Sequence, residues 1–254
     1  ENGVTELVVV AQDTTRYGED IYGKSMLPEL LTALCEIDGF KWIRTLYCYP
    51  ERITDELLDV IAKEDKLVKY LDMPIQHCNK TILKRMNRHG DRETLTALIK
   101  KIREKIPNVT LRTTLITGFP GETEEQFEEL CEFVKEIRFE RLGCFAYSPE
   151  EGTPAEKFED QVPLKDRERR AEIIMEEQMI ISDSFNEAAL DSEVEVVCEG
   201  FDRYAECYYG RSQADAPEID GKIFFLSEDK VRVGEYVKVK IDDTMDYDLI
   251  GSKM

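Results

Sequence analysis

Strand-like and helix-like segments alternate through the first 150 residues of this 254-residue chain. Strands are predicted where β-branched and apolar residues run together, and helices where apolar residues recur every three or four positions. Serial strand–helix repeats predict a parallel sheet with right-handed crossovers, an α/β fold. The predicted strands are 6–11, 41–49, 70–75, 110–117 and 141–147; the predicted helices are 26–37, one capped by Thr54, one around 95–102 and one opened by Thr123.

The loop after the fourth predicted strand carries two glycines, Gly118 and Gly121, on either side of Phe119-Pro120. Thr123 and Gln126 follow with the spacing of a capping box, which predicts a helix start. A strand, a glycine loop and a helix N-terminus together can present N–H groups to an anion. The loop is neither a P-loop nor a dinucleotide fingerprint. Its shape alone equally allows a turn that binds no ligand.

The sequence changes character near residue 190. Residues 164–190 are charged, helical in pattern and free of Gly and Pro, whereas the segments after Asp191 alternate with a period of two. We therefore predict an α/β domain at 1–189 and a small antiparallel β-barrel of about five strands at 190–254, of the kind that docks RNA or protein.

The chain is acidic, with 54 Asp and Glu, 34 Lys and Arg, and a formal net charge of -20. This balance disfavours non-specific binding to nucleic acid. Seven cysteines, none in a CxxC pair, predict core residues in a reducing cytosol rather than disulfides or metal ligands. No apolar run reaches the roughly 20 residues of a membrane-spanning helix.

Polar residues follow each predicted strand, and in parallel α/β folds ligands bind at these carboxyl ends. The segments are Gln12-Asp13-Thr14, Tyr49-Pro50-Glu51-Arg52, Gln76-His77, Thr117-Gly118 and Tyr147-Ser148. Loops are polar in any fold, so the alternative is that these ends bind nothing. The only histidines are His77 and His89, and no Ser–His nucleophile arrangement is present. A site rich in binding groups and poor in catalytic groups suggests that a cofactor supplies the chemistry.

Several motifs resemble the radical-SAM methylthiotransferases, and finer ones resemble their RimO branch, which modifies an aspartate of a small-subunit ribosomal protein. The general motifs are GFPGET at 118–123, LKRMNR at 83–88, and Tyr147-Ser148 followed by GTPA at 152–155. The finer ones are VAQDTTRYG at 10–18, YLDMPIQH at 70–77, YSPEEGTPA at 147–155 and DAPEIDG at 215–221. The resemblance covers essentially the whole chain, and it implies a partial TIM-like (β/α) barrel followed by a TRAM-like domain.

The resemblance also implies S-adenosyl-L-methionine (SAM) as cofactor. Residues that match the family's SAM-cradling positions are Ile116, Gly118 and Glu122 for the adenosine, Gln12 and Asp13 for the amino-acid end, and Gln76, Arg112 and Tyr147 as weaker candidates. The further implied components are two 4Fe–4S clusters, an electron-donor protein and a cytoplasmic location. No Cys-x-x-x-Cys-x-x-Cys motif occurs, so the cluster cysteines are expected upstream of Glu1.

Three functions stay open at this point. They are a ribosomal-protein methylthiotransferase, a tRNA methylthiotransferase, and a non-catalytic module that binds RNA or protein. Residues 190–254 hold 16 acidic and eight basic residues, which favours a basic protein partner over RNA. Thr114 also favours the ribosomal branch, because the tRNA-modifying relatives usually have an aspartate there. The predicted contacts to that partner are Tyr208, Asp215, Glu218 and Asp220.

Overall fold

Five parallel strands, with helices between them, form the first part of the computed structural model, which describes residues 3–254. The strands are β1 (Glu6–Val9), β2 (Trp42–Thr45), β3 (Tyr70–Asp72), β4 (Thr110–Thr117) and β5 (Arg141–Ala146). β1 pairs with β2, and β3 with β4 and then β5, all in parallel. A parallel bridge from Ile43 to Leu67 joins β2 to the segment that leads into β3. The predicted parallel strands are confirmed; β4 has the predicted bounds, and the other four strands are shorter than predicted.

The helices are α1 (Glu19–Tyr22), α2 (Leu27–Cys35), α3 (Asp55–Lys63), α4 (Lys80–Arg85), α5 (Arg92–Lys105), α6 (Glu124–Ile137) and α7 (Leu164–Ala188). The capping box that opens α6 is confirmed: Thr123 accepts a hydrogen bond from the Gln126 N–H at 3.3 Å, and Gln126 accepts one from the Thr123 N–H at 3.0 Å. Thr54 caps α3 as predicted. None of the described helices combines the length and apolar character needed to cross a membrane.

Alternation along β4 divides the sheet into two faces. Leu111, Thr113 and Leu115 are buried on one face, which packs on the helices in a core that includes Leu130 and Phe133. Arg112, Thr114 and Ile116 are only partly buried and lie on the opposite face. This second face is where polar and charged side chains of neighbouring strands meet.

The second domain is a closed five-stranded barrel. Its strands are β6 (Glu193–Asp202), β7 (Cys207–Arg211), β8 (Ile223–Leu226), β9 (Tyr236–Met245) and β10 (Asp248–Lys253), in the order β10-β8-β7-β6-β9. Four pairs are antiparallel, but β10 and β8 pair in parallel, which corrects the prediction of a wholly antiparallel barrel. Closure leaves no exposed sheet edge.

The segment between β7 and β8 packs against the first domain. Asp215 forms an ion pair with Arg141 at 2.7 Å, and Asp220 accepts a hydrogen bond from the Tyr70 hydroxyl at 2.6 Å. These partners lie at the amino-terminal ends of β5 and β3. The barrel therefore covers the amino-terminal end of the parallel sheet and leaves the carboxyl ends free.

Candidate cofactor site at the carboxyl ends of the strands

Among the buried polar atoms at the carboxyl ends of the strands that have no hydrogen-bond partner in the described part of the chain, three belong to residues predicted to bind the cofactor. They are Asp13 Oδ2 after β1, Gln76 Oε1 after β3 and Tyr147 Oη after β5. Buried polar atoms in folded proteins are nearly always paired. All three residues were predicted from the sequence, and their unpaired atoms could form hydrogen bonds with a polar ligand at this end of the sheet.

Gln76 adopts a strained backbone conformation, with φ at +69°. A residue with a Cβ is disfavoured there by about 1 kcal/mol or more. Two backbone hydrogen bonds hold it in place: its N–H donates to Thr114 at 2.9 Å, and its C=O accepts from Ile116 at 2.9 Å. Such strain is typical of functional positions.

The polar groups of the residues after β1 are only partly free to bind a ligand, because some already have partners within the chain. Asp13 Oδ1 accepts a hydrogen bond from the Thr15 N–H at 3.0 Å, and Asp13 Oδ2 lies 3.7 Å from Arg52 Nε. Arg52 also pairs with Glu19. Gln12 is exposed. Asp13 thus combines a fixed orientation with one carboxylate oxygen that can still accept a hydrogen bond.

The glycine loop uses its own N–H groups internally. Gly118 donates to Glu122 Oε2 at 2.9 Å, and Gly121 donates to the Asp160 carbonyl at 2.8 Å. The expectation that this loop presents free N–H groups is wrong for these two positions. The close approach at Gly118 is made by α7: a Cβ there would lie 2.7 Å from Arg167 Cβ, and φ is +69°.

Glu122 lies beneath the loop, with its side chain fully buried. Its Oε1 accepts a hydrogen bond from Arg170 at 2.8 Å, and Oε2 lies 3.5 Å from His77 Nε2. His77 Nδ1 accepts from the Asn79 N–H at 2.9 Å, and His77 Nε2 makes no hydrogen bond within the described residues. Glu122, paired with Arg170 and close to His77, holds the loop through its hydrogen bond from the Gly118 N–H. Arg170 was missed from the sequence, because it is one of many charges in α7.

An apolar surface lies beside these polar groups. Ile116 packs on a small cluster of Ile82, Phe119 and Tyr147, and the Phe119 and Tyr147 rings meet edge to face at 5.1 Å. Burial raises the pKa of Tyr147, so its hydroxyl stays neutral and can donate or accept a hydrogen bond. Ile116 and Tyr147 were both predicted, and the structure brings them together.

Arg112 lies on the second face of the sheet, near the amino-terminal end of β4. It donates to Asp72 at 2.8 Å and lies 3.6 Å from Asp220. Burial acts to lower the pKa of Arg112, but the nearby carboxylates of Asp72 and Asp220 outweigh this effect. The pKa of Arg112 is therefore raised. Gln76 bridges to Leu115, three residues further along β4, roughly 10 Å at the usual strand rise. Arg112 is thus set apart from the carboxyl-end groups.

The predicted partner-binding residues of the barrel do not form one surface. Asp215 is 3% exposed, and Asp220 is held by Tyr70 and by the Ala216 N–H. Burial raises the pKa of Asp220. The prediction that Asp215 and Asp220 face a partner is wrong, because both contact the first domain. Tyr208 stacks on Phe225 within the barrel, and Glu218 alone of the three acids is exposed.

The cysteines are scattered. All seven are free thiols, and within residues 3–254 no group of three or more His, Cys, Asp or Glu is placed to hold a metal ion. Burial raises the pKa of Cys48 and of Cys144 to about 12. These thiols stay protonated at neutral pH, and metals bind the thiolate form.

Comparison with known proteins agrees with this architecture. Residues 1–134 match the radical SAM superfamily, and residues 192–253 match the TRAM domain. The chain is 51% identical over 252 residues to the ribosomal protein uS12 methylthiotransferase RimO of Lachnoclostridium phytofermentans, covering 99% of this chain and 57% of that protein. The RimO of Clostridium botulinum (strain Okra) is 49% identical over 251 residues, covering 99% of this chain and 56% of that protein.

Among solved structures, coproporphyrinogen III oxidase (HemN) from Escherichia coli, a radical SAM enzyme, is 24% identical with a TM-score of 0.47, covering 62% of this chain and 36% of that chain. The chain spans somewhat more than half the length of the RimO proteins that it matches. It belongs to the radical SAM superfamily and carries a TRAM domain behind its α/β domain.

Proposed function

We propose that this chain is the SAM-binding and TRAM part of a RimO-type methylthiotransferase, which adds a methylthio group to the β-carbon of an aspartate in ribosomal protein uS12. The observation that carries the proposal is the identity of about half over 99% of the chain to proteins of that name. A protein with a ribosomal substrate would work in the cytoplasm, together with an electron-donor protein.

The carboxyl ends of the strands fit SAM. Asp13 Oδ2 can accept from an ammonium group, and Gln76 and Tyr147 offer polar atoms that lack a protein partner in the described chain. Ile116 and the Phe119–Tyr147 pair supply apolar surface for a purine ring. SAM bound there would supply the radical and methyl chemistry that defines the superfamily.

The described residues do not fit a 4Fe–4S cluster, because residues 3–254 bring no three cysteines together. The roles proposed for this chain are therefore binding and orientation. Glu122, His77 and Arg170 hold the glycine loop, and the groups on β1, β3 and β5 hold SAM.

A protein substrate suits the chain better than tRNA. The barrel domain has twice as many acidic as basic residues, and the chain as a whole carries a formal charge of -20. Proteins that bind RNA present a basic surface to its phosphates. A ribosomal protein rich in Lys and Arg complements an acidic enzyme.

A chimera tests the proposal. The matching part of the Lachnoclostridium phytofermentans relative would be replaced by this chain and expressed in bacteria that lack their own uS12 methylthiotransferase. We expect mass spectrometry to find one methylthio group on uS12, and a Gln76→Leu chimera to lose it. Unmodified uS12 beside an active parent enzyme would overturn the proposal. Methylthiolated tRNA instead would favour the tRNA-modifying alternative.

A further inference from the structure

β5 has a free edge. It pairs only with β4 among the described strands. The Tyr147 N–H, directly after β5, donates to Thr117 at the end of β4, at 2.9 Å. Backbone direction alternates along a strand, so residues 142, 144 and 146 direct their N–H groups to the other side.

Helix α7 packs against β5, but no strand of the described chain pairs with that side. The Cys144 N–H donates to the Met175 thioether at 3.3 Å, which is a weak acceptor on a flexible side chain. The N–H groups of Leu142 and Ala146 are not paired with any described strand. An edge with unpaired N–H and C=O groups is a template for an added strand.

A cleft of about 640 Å³ runs along this edge. Gly143 and Phe145 line the side of the cleft that the sheet forms, and Met175 and Ser182 of α7 line one wall. Residues 218–221 line the end of the cleft next to the barrel domain. Phe145 is 60% exposed. The Phe145 ring therefore gives the cleft an apolar surface on its sheet side.

The cleft carries unpaired negative charge. Its two arginines, Arg112 and Arg141, are already paired with carboxylates. Glu218 is exposed, and neither Glu218 nor Asp248 has an ion-pair partner within the described residues. An occupant with Lys or Arg near the barrel end of the cleft is electrostatically favoured.

We propose that this cleft binds an extended, basic segment of the protein substrate, which adds a strand to the free edge of β5. The proposal rests on the proposed function and names the surface through which that substrate is held. β5 spans roughly 20 Å at the usual strand rise. It ends next to Tyr147, so a segment that lies along it leads from the acidic end of the cleft to the candidate cofactor site.

Binding of purified bacterial uS12 to the full chain at low salt tests the proposal. Gly143→Val fills the sheet side of the cleft, and its Cβ meets nothing closer than the Phe145 ring at 3.6 Å, so the fold is kept. Glu218→Lys reverses the free charge. Glu228→Lys is the matched control, because it makes the same change at an exposed residue of another cleft on the barrel.

We expect Gly143→Val to weaken uS12 binding about tenfold or more, Glu218→Lys to weaken it severalfold, and Glu228→Lys to leave it within about twofold. Hydrogen exchange of residues 141–147 should slow when uS12 binds to the wild-type chain. Thermal unfolding midpoints of the variants should match the wild type, which verifies folding.

The outcomes separate the two proposals. If wild-type chain binds uS12 and both cleft variants bind it equally well, or if only Glu228→Lys weakens binding, the cleft proposal falls and the proposed function stands. If uS12 does not bind the wild-type chain while tRNA does, the substrate in the proposed function falls with it. Slowed exchange at β5 with no uS12 present, from self-association, would also overturn the cleft proposal.

Discussion

Two buried tyrosines show how single residues divide between structure and function. The Tyr70 hydroxyl donates to Asp220 at 2.6 Å, whereas the Tyr147 hydroxyl has no partner in the described chain. A buried polar atom without a partner costs about 1–3 kcal/mol. The Tyr147 hydroxyl is thus unfavourable for folding alone and is suited to a ligand.

Replacing these hydroxyls should have opposite effects. Tyr147→Phe should leave the free energy of unfolding without SAM unchanged or raise it, and should weaken SAM binding by roughly 1 kcal/mol. Tyr70→Phe is the control and should lower the free energy of unfolding, because Asp220 loses its donor. Urea unfolding and calorimetric titration with SAM measure both. Equal SAM affinity of Tyr147→Phe and wild type would remove Tyr147 from the site.

Gly118 is required by packing as well as by its backbone. Its φ is +69°, and a Cβ added there would lie 2.7 Å from Arg167 Cβ, so Gly118→Ala should lower the free energy of unfolding by about 3 kcal/mol. Gly152→Ala is the control, since φ is +83° and nothing lies within 4 Å, so about 1 kcal/mol is expected. Equal losses in urea unfolding would show that the contact with α7 does not matter.

At the scale of elements, local sequence predicted most of the fold. Strands β1 to β5 and helices α2, α3, α5, α6 and α7 follow from apolar periodicity and from caps such as Thr54 and Thr123. The short helices α1 and α4 were not predicted, because four or six residues do not establish a period.

The candidate site was only partly predictable for a physical reason. Asp13, Gln76 and Tyr147 follow strands closely, so topology places them at one end of the sheet. Asp215 and Asp220 are buried by contacts with Arg141 and Tyr70, which are 74 and 150 residues away in sequence. Periodicity within a segment carries no information about such partners.

Helix α7 ties the glycine loop to the sheet through one buried ion pair. Arg170 is paired with Glu122, whose side chain is fully buried, and the side chain of Arg170 is 6% exposed. Arg170→Gln leaves that carboxylate buried and uncompensated, so the free energy of unfolding should fall by about 3–5 kcal/mol.

The neighbouring arginine provides the comparison. Arg169 pairs with Glu124 in an exposed ion pair, and Arg169→Gln should change the free energy of unfolding by less than about 1 kcal/mol. Urea unfolding of the two variants measures the difference. A small effect of Arg170→Gln would mean that water reaches Glu122 and that the loop is held by other contacts.

At the scale of the whole molecule, the two ends of the parallel sheet differ in whether their polar groups are paired. The barrel closes the amino-terminal end with paired charges, such as Arg211 with Glu6 at 2.6 Å. The carboxyl ends keep the unpaired polar atoms. Acidic residues that lie close together in the sequence therefore differ in their contacts: Asp215 and Asp220 join the domains, and Glu218 is exposed.

The single tryptophan reports on this junction. Trp42 lies in β2 at 1% exposure and meets Tyr236 of the barrel edge to face at 4.8 Å. If the paired charges make the domains unfold together, Trp42 fluorescence and far-ultraviolet circular dichroism should give one coincident urea transition.

Asp215→Asn with Asp220→Asn removes charges that Arg141 and Arg112 need, so the Trp42 transition should move to lower urea and precede the loss of secondary structure. Asp242→Asn with Asp243→Asn changes the same charge at two exposed residues of β9 and should keep the transitions coincident. Separate transitions in the wild-type chain would show that the domains unfold independently and that the barrel does not stabilise the parallel sheet.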